Sequence, residues 1–163
     1  MRNENFAVRV RKESLVFSAA HFITFNGNVC ERLHGHNYGV EVELEGPLDQ
    51  NYYVVDFIAV RDTLQQIVLR LDHHVLLPTC HEQIRVTSSG NEVEARFEDR
   101  RWVFPSADCV LLPIPNTTAE LLAKYIGNCL IDAMQLGSRA PIRRIRVGVD
   151  ENNGQWAYWA CEL

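Results

Sequence analysis

His34-Gly35-His36 are the residues of this chain best suited, by type and spacing, to hold a metal. They open the run HGHNYGVEVELEG, in which Tyr38, Val40, Val42 and Leu44 alternate with Gly39, Glu41, Glu43 and Glu45. Such alternation predicts a half-buried β-strand. On a strand, residues i and i+2 project from the same face, so both imidazoles stand side by side with only a glycine between them. Two neutral imidazoles at that spacing suit a divalent transition metal, zinc first among them. A bare His-x-His also occurs as a plain strand-end pair, and the neighbours sharpen the metal reading: Cys30 and Glu31 lie just upstream, and His21 closes the run Phe17-Ser18-Ala19-Ala20.

Other residues carry chemistry more ambiguously. A free cysteine is usually a small buried hydrophobe. Four residues before a metal ligand, however, Cys30 would feel a positive field, and a thiol of reference pKa about 8.5 can be lowered there by several units. Asp72-His73-His74 ends a helical stretch. A protonated histidine is favoured at a helix C-terminus and an aspartate is not, which hints that Asp72 has another task. Glu151 precedes Asn152-Asn153-Gly154 and reads equally as a turn acid. Thr117-x-x-Glu120 has the form of a capping box, which accounts for Glu120 without any ligand.

These residues need elements to position them. Phe6, Val8, Val10, Leu15 and Phe17 predict a first strand over 6–18 with a bulge near Lys12-Glu13, and a loop over 24–29 containing Asn-Gly-Asn leads to Cys30. Gly46-Pro47 closes the second strand. Asp56 is placed to cap a helix in which Phe57, Val60, Leu64, Ile67, Val68 and Leu71 recur every three or four residues. A second helix is predicted from about Thr117, with Leu121, Leu122, Tyr125, Ile126, Cys129, Leu130 and Met134 as its apolar stripe and Gly137 as its stop. Residues 142–150 alternate as a third strand, Asn152-Asn153-Gly154 is a turn, and 155–161 return as a fourth. Between the helices, residues 79–115 read as an inserted β-meander with turns at Ser88-Ser89-Gly90-Asn91 and Asp99-Arg100.

A chain of 163 residues with 47% apolar content suffices for one domain with a proper core. A net charge of −5 argues against a nucleic-acid partner. No apolar run reaches membrane-span length, and the N-terminal stretch lacks a signal-peptide core. Five cysteines without a C-x-x-C pair fit free thiols in a reducing cytoplasm.

Four stretches together resemble the 6-pyruvoyl-tetrahydropterin synthase / 6-carboxy-tetrahydropterin synthase family. They are Phe17-Ser-Ala-Ala-His21, Cys30-Glu-Arg-Leu-His34-Gly-His36, Leu71-Asp72-His73-His74 and Asn116-Thr-Thr-Ala-Glu120, followed by Asp150-Glu151. The resemblance covers 6–78 and 114–162. It implies an α+β tunnelling fold: a four-stranded antiparallel sheet with two helices on one face, in the order ββααββ, the 79–115 insert being additional. It further implies homo-oligomers closed edge to edge, typically a homohexamer built as a dimer of trimers, which would cover otherwise open strand edges.

By the same resemblance His21, His34 and His36 are ligands of a catalytic Zn2+, and Cys30 is the general base, assisted by Asp72 and His73. Glu151 anchors the pterin ring, with Thr118 and Glu120 as further substrate contacts. Asn152 departs from the threonine frequent after that glutamate. The implied reaction is a zinc-dependent lyase step on 7,8-dihydroneopterin triphosphate, giving 6-carboxy-5,6,7,8-tetrahydropterin for queuosine and deazapurine synthesis. Formation of the 6-pyruvoyl product uses much the same residues. A folate-branch release of 6-hydroxymethyl-dihydropterin, with Glu31 as a possible second base, is a further reading, as is a non-enzymatic pterin- or zinc-binding relative. Arg9, Arg11, Lys12 and Arg32 are all open as cations for the triphosphate, and the insert is expected to be peripheral to the chemistry.

Overall fold

The computed structural model describes residues 4–27, 29–138 and 141–163. Asn28 of the predicted loop and residues 1–3 of the N-terminal stretch lie outside them. β1 (Phe6–His21) and β4 (His34–Gly46) form the long antiparallel pair that the alternation predicts. Their register slips between Arg11 and Val16, so Lys12 to Leu15 bulge opposite Val40, and β1 runs on past residue 18 to bring His21 directly opposite His34. Within the connecting loop, β2 (Thr24–Phe25) and β3 (Val29–Cys30) make a minimal ladder.

α1 (Phe57–Leu69) starts where expected: the Asp56 carboxylate accepts from the backbone N–H of Ile58 at 2.8 Å and Ala59 at 3.4 Å, a cap that contributes about 1 kcal/mol. α2 (Ala119–Met134) differs from its prediction at both ends. The Thr117–Glu120 box is not formed, because Thr117 Oγ1 donates instead to Phe22 O at 3.2 Å and Thr118 is the N-cap residue. The C-terminal reversal falls on Gln135 (φ 50°) rather than on Gly137.

The sheet corrects the four-stranded expectation. Among the described residues it has six strands, adding β5 (His74–Pro78) and β9 (Cys109–Leu112) to β1, β4, β10 (Arg144–Asp150) and β11 (Trp156–Glu162). The order is β11-β10-β4-β1-β5-β9, and both added strands join in parallel. They escape a periodicity reading because each is a short continuous apolar run rather than an alternation, even though Leu111 of β9 is exposed. Leu76 enters the core beneath the helices, whereas its neighbour Leu77 enters a second core.

The main core lies between α1, α2 and one face of the long strands, with Tyr38, Val40, Val42 and Leu44 against Val60, Leu64, Ile67, Leu122, Ile126 and Leu130. Each such fully buried side chain stabilises the fold by roughly 1.5–3 kcal/mol. The meander is present as β6 (Arg85–Ser89), β7 (Glu92–Phe97) and β8 (Arg100–Pro105), turning at Gly90 (φ 58°) and Glu98 (φ 52°). Its apolar face, including Val93, Ala95 and Phe97, closes the second core over Phe22, Cys30 and Leu77.

Candidate active site

Directly opposed residues on antiparallel strands share a face. The His21–His34 pairing and the i, i+2 relation of His34 and His36 therefore put three imidazoles on the helix-facing side. Ring centroids are 4.9 Å apart for His21–His34 and 4.7 Å for His34–His36. One nitrogen from each ring falls within 4.8 Å of the others. Gly35 between them packs closely on the partner strand: a Cβ there would stand 3.2 Å from Ala19 O.

The donor chemistry fits a metal. A carbonyl can only accept, so His21 Nδ1 donates to Thr117 O at 2.9 Å and His34 Nδ1 donates to Arg32 O at 2.8 Å. Both rings therefore present Nε2 lone pairs, as metal-binding histidines do when their other nitrogen donates to a carbonyl. Burial lowers the His21 pKa to about 4, keeping that ring neutral. His34 is exposed and His36 only half-buried, which leaves the cluster open on one side, as a catalytic rather than structural zinc requires. Tyr38, buried beneath, has its hydroxyl 3.1 Å from His21 Nε2, a contact that a metal bound there would replace.

Glu151 faces the same cluster, with Oε1 3.5 Å from His21 Nε2. It is held by the β10–β11 turn, in which the Asp150 carboxylate accepts from Gly154 N at 2.9 Å and Asn152 N at 3.2 Å. Burial pushes the Glu151 carboxyl up; Glu31 and Glu120 push the same way, against an opposing effect from His36 and His34. Thr118, Glu120, Glu151, Gln155 and Trp156 line one cavity of about 590 Å³. No capping box forms around Glu120, which remains an acid in the first turn of α2. Gln155 and Trp156 were not foreseen; only their place after the turn marks them in the sequence.

The adjacent residues Cys30 and Glu31 part company. Cys30 is 7% exposed in the second core, and burial raises its thiol pKa against the pull of Arg100. Arg100 contributes a positive charge beside the thiol, and burial outweighs it. Glu31 turns its carboxylate to 3.9 Å from His34 Nε2 and accepts from Ile23 N at 3.4 Å. Of the four cations left open, Arg32 shares this cleft with Cys30, Glu31 and His34, while Arg9 pairs with Glu41 and Arg11 stacks on Trp156.

Asp72 and His73 form a dyad elsewhere. Asp72 accepts from Ser18 N at 2.7 Å and from His73 Nδ1 at 2.8 Å, and the His73 ring is 82% exposed. His73 borders a cavity lined also by Ser18, Ala19, Ala20, Gly35, His36 and Asn37. Ser18, Ala20, Gly35 and Asn37 alternate with Ala19, His21, His34 and His36, so much of that lining lies on the opposite face of the strand pair. Among the described residues no hydrogen bond or ion pair joins the dyad to the three histidines.

The family model described as 6-pyruvoyl tetrahydropterin synthase matches residues 9–161. The chain belongs to the 6-pyruvoyl tetrahydropterin synthase family. It is 35% identical over 144 residues, 88% of each chain, to a Methanocaldococcus jannaschii protein provisionally named as a 6-carboxy-5,6,7,8-tetrahydropterin synthase. The fold is shared with the 6-pyruvoyl tetrahydropterin synthase of Plasmodium vivax at a TM-score of 0.91 and 30% identity, covering 99% of this chain and 100% of that one. A second P. vivax structure, with a TM-score of 0.89 and 30% identity, carries alanine in place of a glutamate that is a catalytic residue of that protein. Membership makes this chain a lyase of the tetrahydropterin synthase type.

Proposed function

We propose that the chain is a zinc-dependent lyase acting on 7,8-dihydroneopterin triphosphate and forming 6-carboxy-5,6,7,8-tetrahydropterin. The observation that carries this reading is the junction of the histidine cluster with the Glu151 cavity: a polyol side chain reaching the first is attached to a ring seated in the second. Zinc held by His21, His34 and His36 would make the side-chain hydroxyls more acidic and stabilise the oxyanion that develops. The two oxygens of Glu151 can accept from the ring N–H and the exocyclic amino group together. His73, donating from Nδ1 to Asp72, keeps Nε2 free to take or return a proton. The pyruvoyl-forming reaction places the same demands on these residues, so the named relative favours the carboxy product; the queuosine-type pathway and a cytoplasmic setting are part of the same proposal.

The dyad's place beside the opposite face of the strand pair supports a homo-oligomer in which one copy's Asp72–His73 serves another copy's cluster. The outer edges of β1 over residues 6–11 and of β11 have no strand partner among the described residues, and open edges of that length favour closure by neighbouring copies. A homohexamer satisfies both.

A second reading is favoured by the Glu31 carboxylate beside His34, with Cys30 packed into the second core at the edge of the same cleft. Glu31 then removes the C2′ hydroxyl proton, the C1′–C2′ bond breaks, the two outer carbons leave as the aldehyde carrying the triphosphate, and C1′ takes up a proton to give 6-hydroxymethyl-dihydropterin. Incubating zinc-loaded protein with 7,8-dihydroneopterin triphosphate and identifying products by mass spectrometry tests both. The carboxy product supports the first, the hydroxymethyl product the second, and unchanged substrate refutes both.

A further inference from the structure

The inserted meander reaches the candidate site through one side chain. Arg100, at the start of β8, donates from Nη2 to Cys30 O at 2.6 Å and from Nη1 to Glu31 O at 3.0 Å. Its guanidinium lies over Trp102 at 5.4 Å and Phe97 at 5.5 Å, so its own direction is fixed by the meander. Trp102 stacks at 4.5 Å on Phe22, which is fully buried and follows the metal ligand His21. The insert, expected to be peripheral to the chemistry, thus touches the backbone of Cys30 and Glu31.

The two carbonyls matter because of where they sit. Cys30 O belongs to the peptide plane before Glu31, and Glu31 O to the plane after it. Each plane is rigid, so orienting both fixes the backbone dihedrals of Glu31 and with them the direction of its side chain. The second core closes on Cys30 at the same time, through Phe22, Leu77, Val93 and Phe97. A planar fork can hold two acceptors in set relative positions; an ammonium acts as a point charge and cannot.

We propose that Arg100 is a positioning residue that presents Glu31 to the histidine cluster and retains Cys30 in the second core, so that the meander sets which of the two groups does the proton chemistry. This rests on the Glu31 reading of the proposed function. It acts through Glu31 and touches no substrate.

The test compares full-length, zinc-loaded wild type with Arg100→Ala and Arg100→Lys. Two readouts are taken: the ratio of hydroxymethyl to carboxy product, and the rate at which iodoacetamide alkylates Cys30, located by peptide mapping. In Arg100→Ala the hydroxymethyl share is expected to fall about tenfold and Cys30 alkylation to rise by a similar factor, because misplacement by a fraction of an ångström suffices for such losses. Arg100→Lys, which keeps the charge without the fork, falls between the two. A purely structural role would lower both products in proportion and leave their ratio unchanged. An unchanged ratio, or unchanged alkylation, in a folded zinc-loaded variant overturns the proposal; should Arg100→Ala not fold, Arg100→Lys decides by the same criteria. A wild type that forms neither product sinks the proposed function, and the alkylation rates still decide the positioning role.

Discussion

Cys30 and Glu31 are neighbours in sequence whose side chains enter different environments: the thiol lies in the second core, and the carboxylate lies 3.9 Å from His34 Nε2. Their free basicities differ widely, about 4.3 for Glu against about 8.5 for Cys, so they favour different protons. Cys30→Ala is expected to abolish the carboxy or pyruvoyl product and leave hydroxymethyl-dihydropterin, and Glu31→Ala to do the reverse, each loss being of the order of 10²-fold or more. Product analysis by mass spectrometry checks this. A folded, zinc-loaded Cys30→Ala with no hydroxymethyl product would make Glu31 a bystander.

Metal content tests the histidine cluster without reference to turnover. Purified protein should carry about one zinc per chain. His34→Ala should lose it while remaining folded, because His34 is exposed at a strand start. His21→Ala should lose zinc and also some stability, roughly 1–3 kcal/mol, since Thr117 O then loses its buried partner. Atomic absorption showing full zinc occupancy in His34→Ala would refute the three-histidine assignment.

The Asp72 contact makes a pH prediction. The Ser18 N–H, and after it His73, hold the Asp72 carboxyl below its ordinary value. A carboxyl lowered in the native state contributes stability that is complete above its unfolded pKa, about 3.9, and is lost as pH falls through the lower native value. Asp72→Ala should therefore be less stable than wild type by about 1 kcal/mol, a modest figure because the pair is partly exposed. By urea denaturation the difference should stay level from about pH 7 to 5 and shrink only below about pH 4. A difference already closing near pH 6 would show that the carboxylate is not what stabilises this contact.

Gly127 of α2 is where Trp159 of β11 packs. A Cβ there would stand 2.7 Å from Trp159 Cε3, closer still to Cζ3, and 3.3 Å from Val147 Cγ2. Alanine normally gains about 1 kcal/mol over glycine inside a helix. Here overpacking costs roughly 1–3 kcal/mol, so Gly127→Ala is expected to lower the thermal midpoint. Calorimetry that found a higher midpoint would show the helix free to move off the sheet.

Much of this protein is local information. The alternation from Tyr38 to Leu44, the i, i+2 histidines, the Asp56 cap and the α1 stripe all concern residues within a few positions of one another, and such patterns are legible because backbone geometry alone sets their period. The bulge near Lys12 and the hairpin at Asn152-Asn153-Gly154 were legible for the same reason, through polar and turn residues interrupting a pattern. Likewise the motif residues His21, Cys30, His34, His36, Asp72, His73 and Glu151 were recognisable as a set.

What the chain order does not contain is which faces and edges meet. β5 and β9 are short apolar runs whose strand character depends on parallel partners 55 and 34 residues away, at Ala19↔His74 and Val75↔Cys109. Thr117 was taken for a helix cap, and its hydroxyl instead tied the helix start to Phe22, a contact available only once β1 lies alongside. The different surroundings of Cys30 and Glu31, the placing of the dyad and the reach of Arg100 from the meander are of the same kind. Each is decided by long-range packing, in which a side chain follows whichever surface covers it, and no period in the sequence encodes that choice.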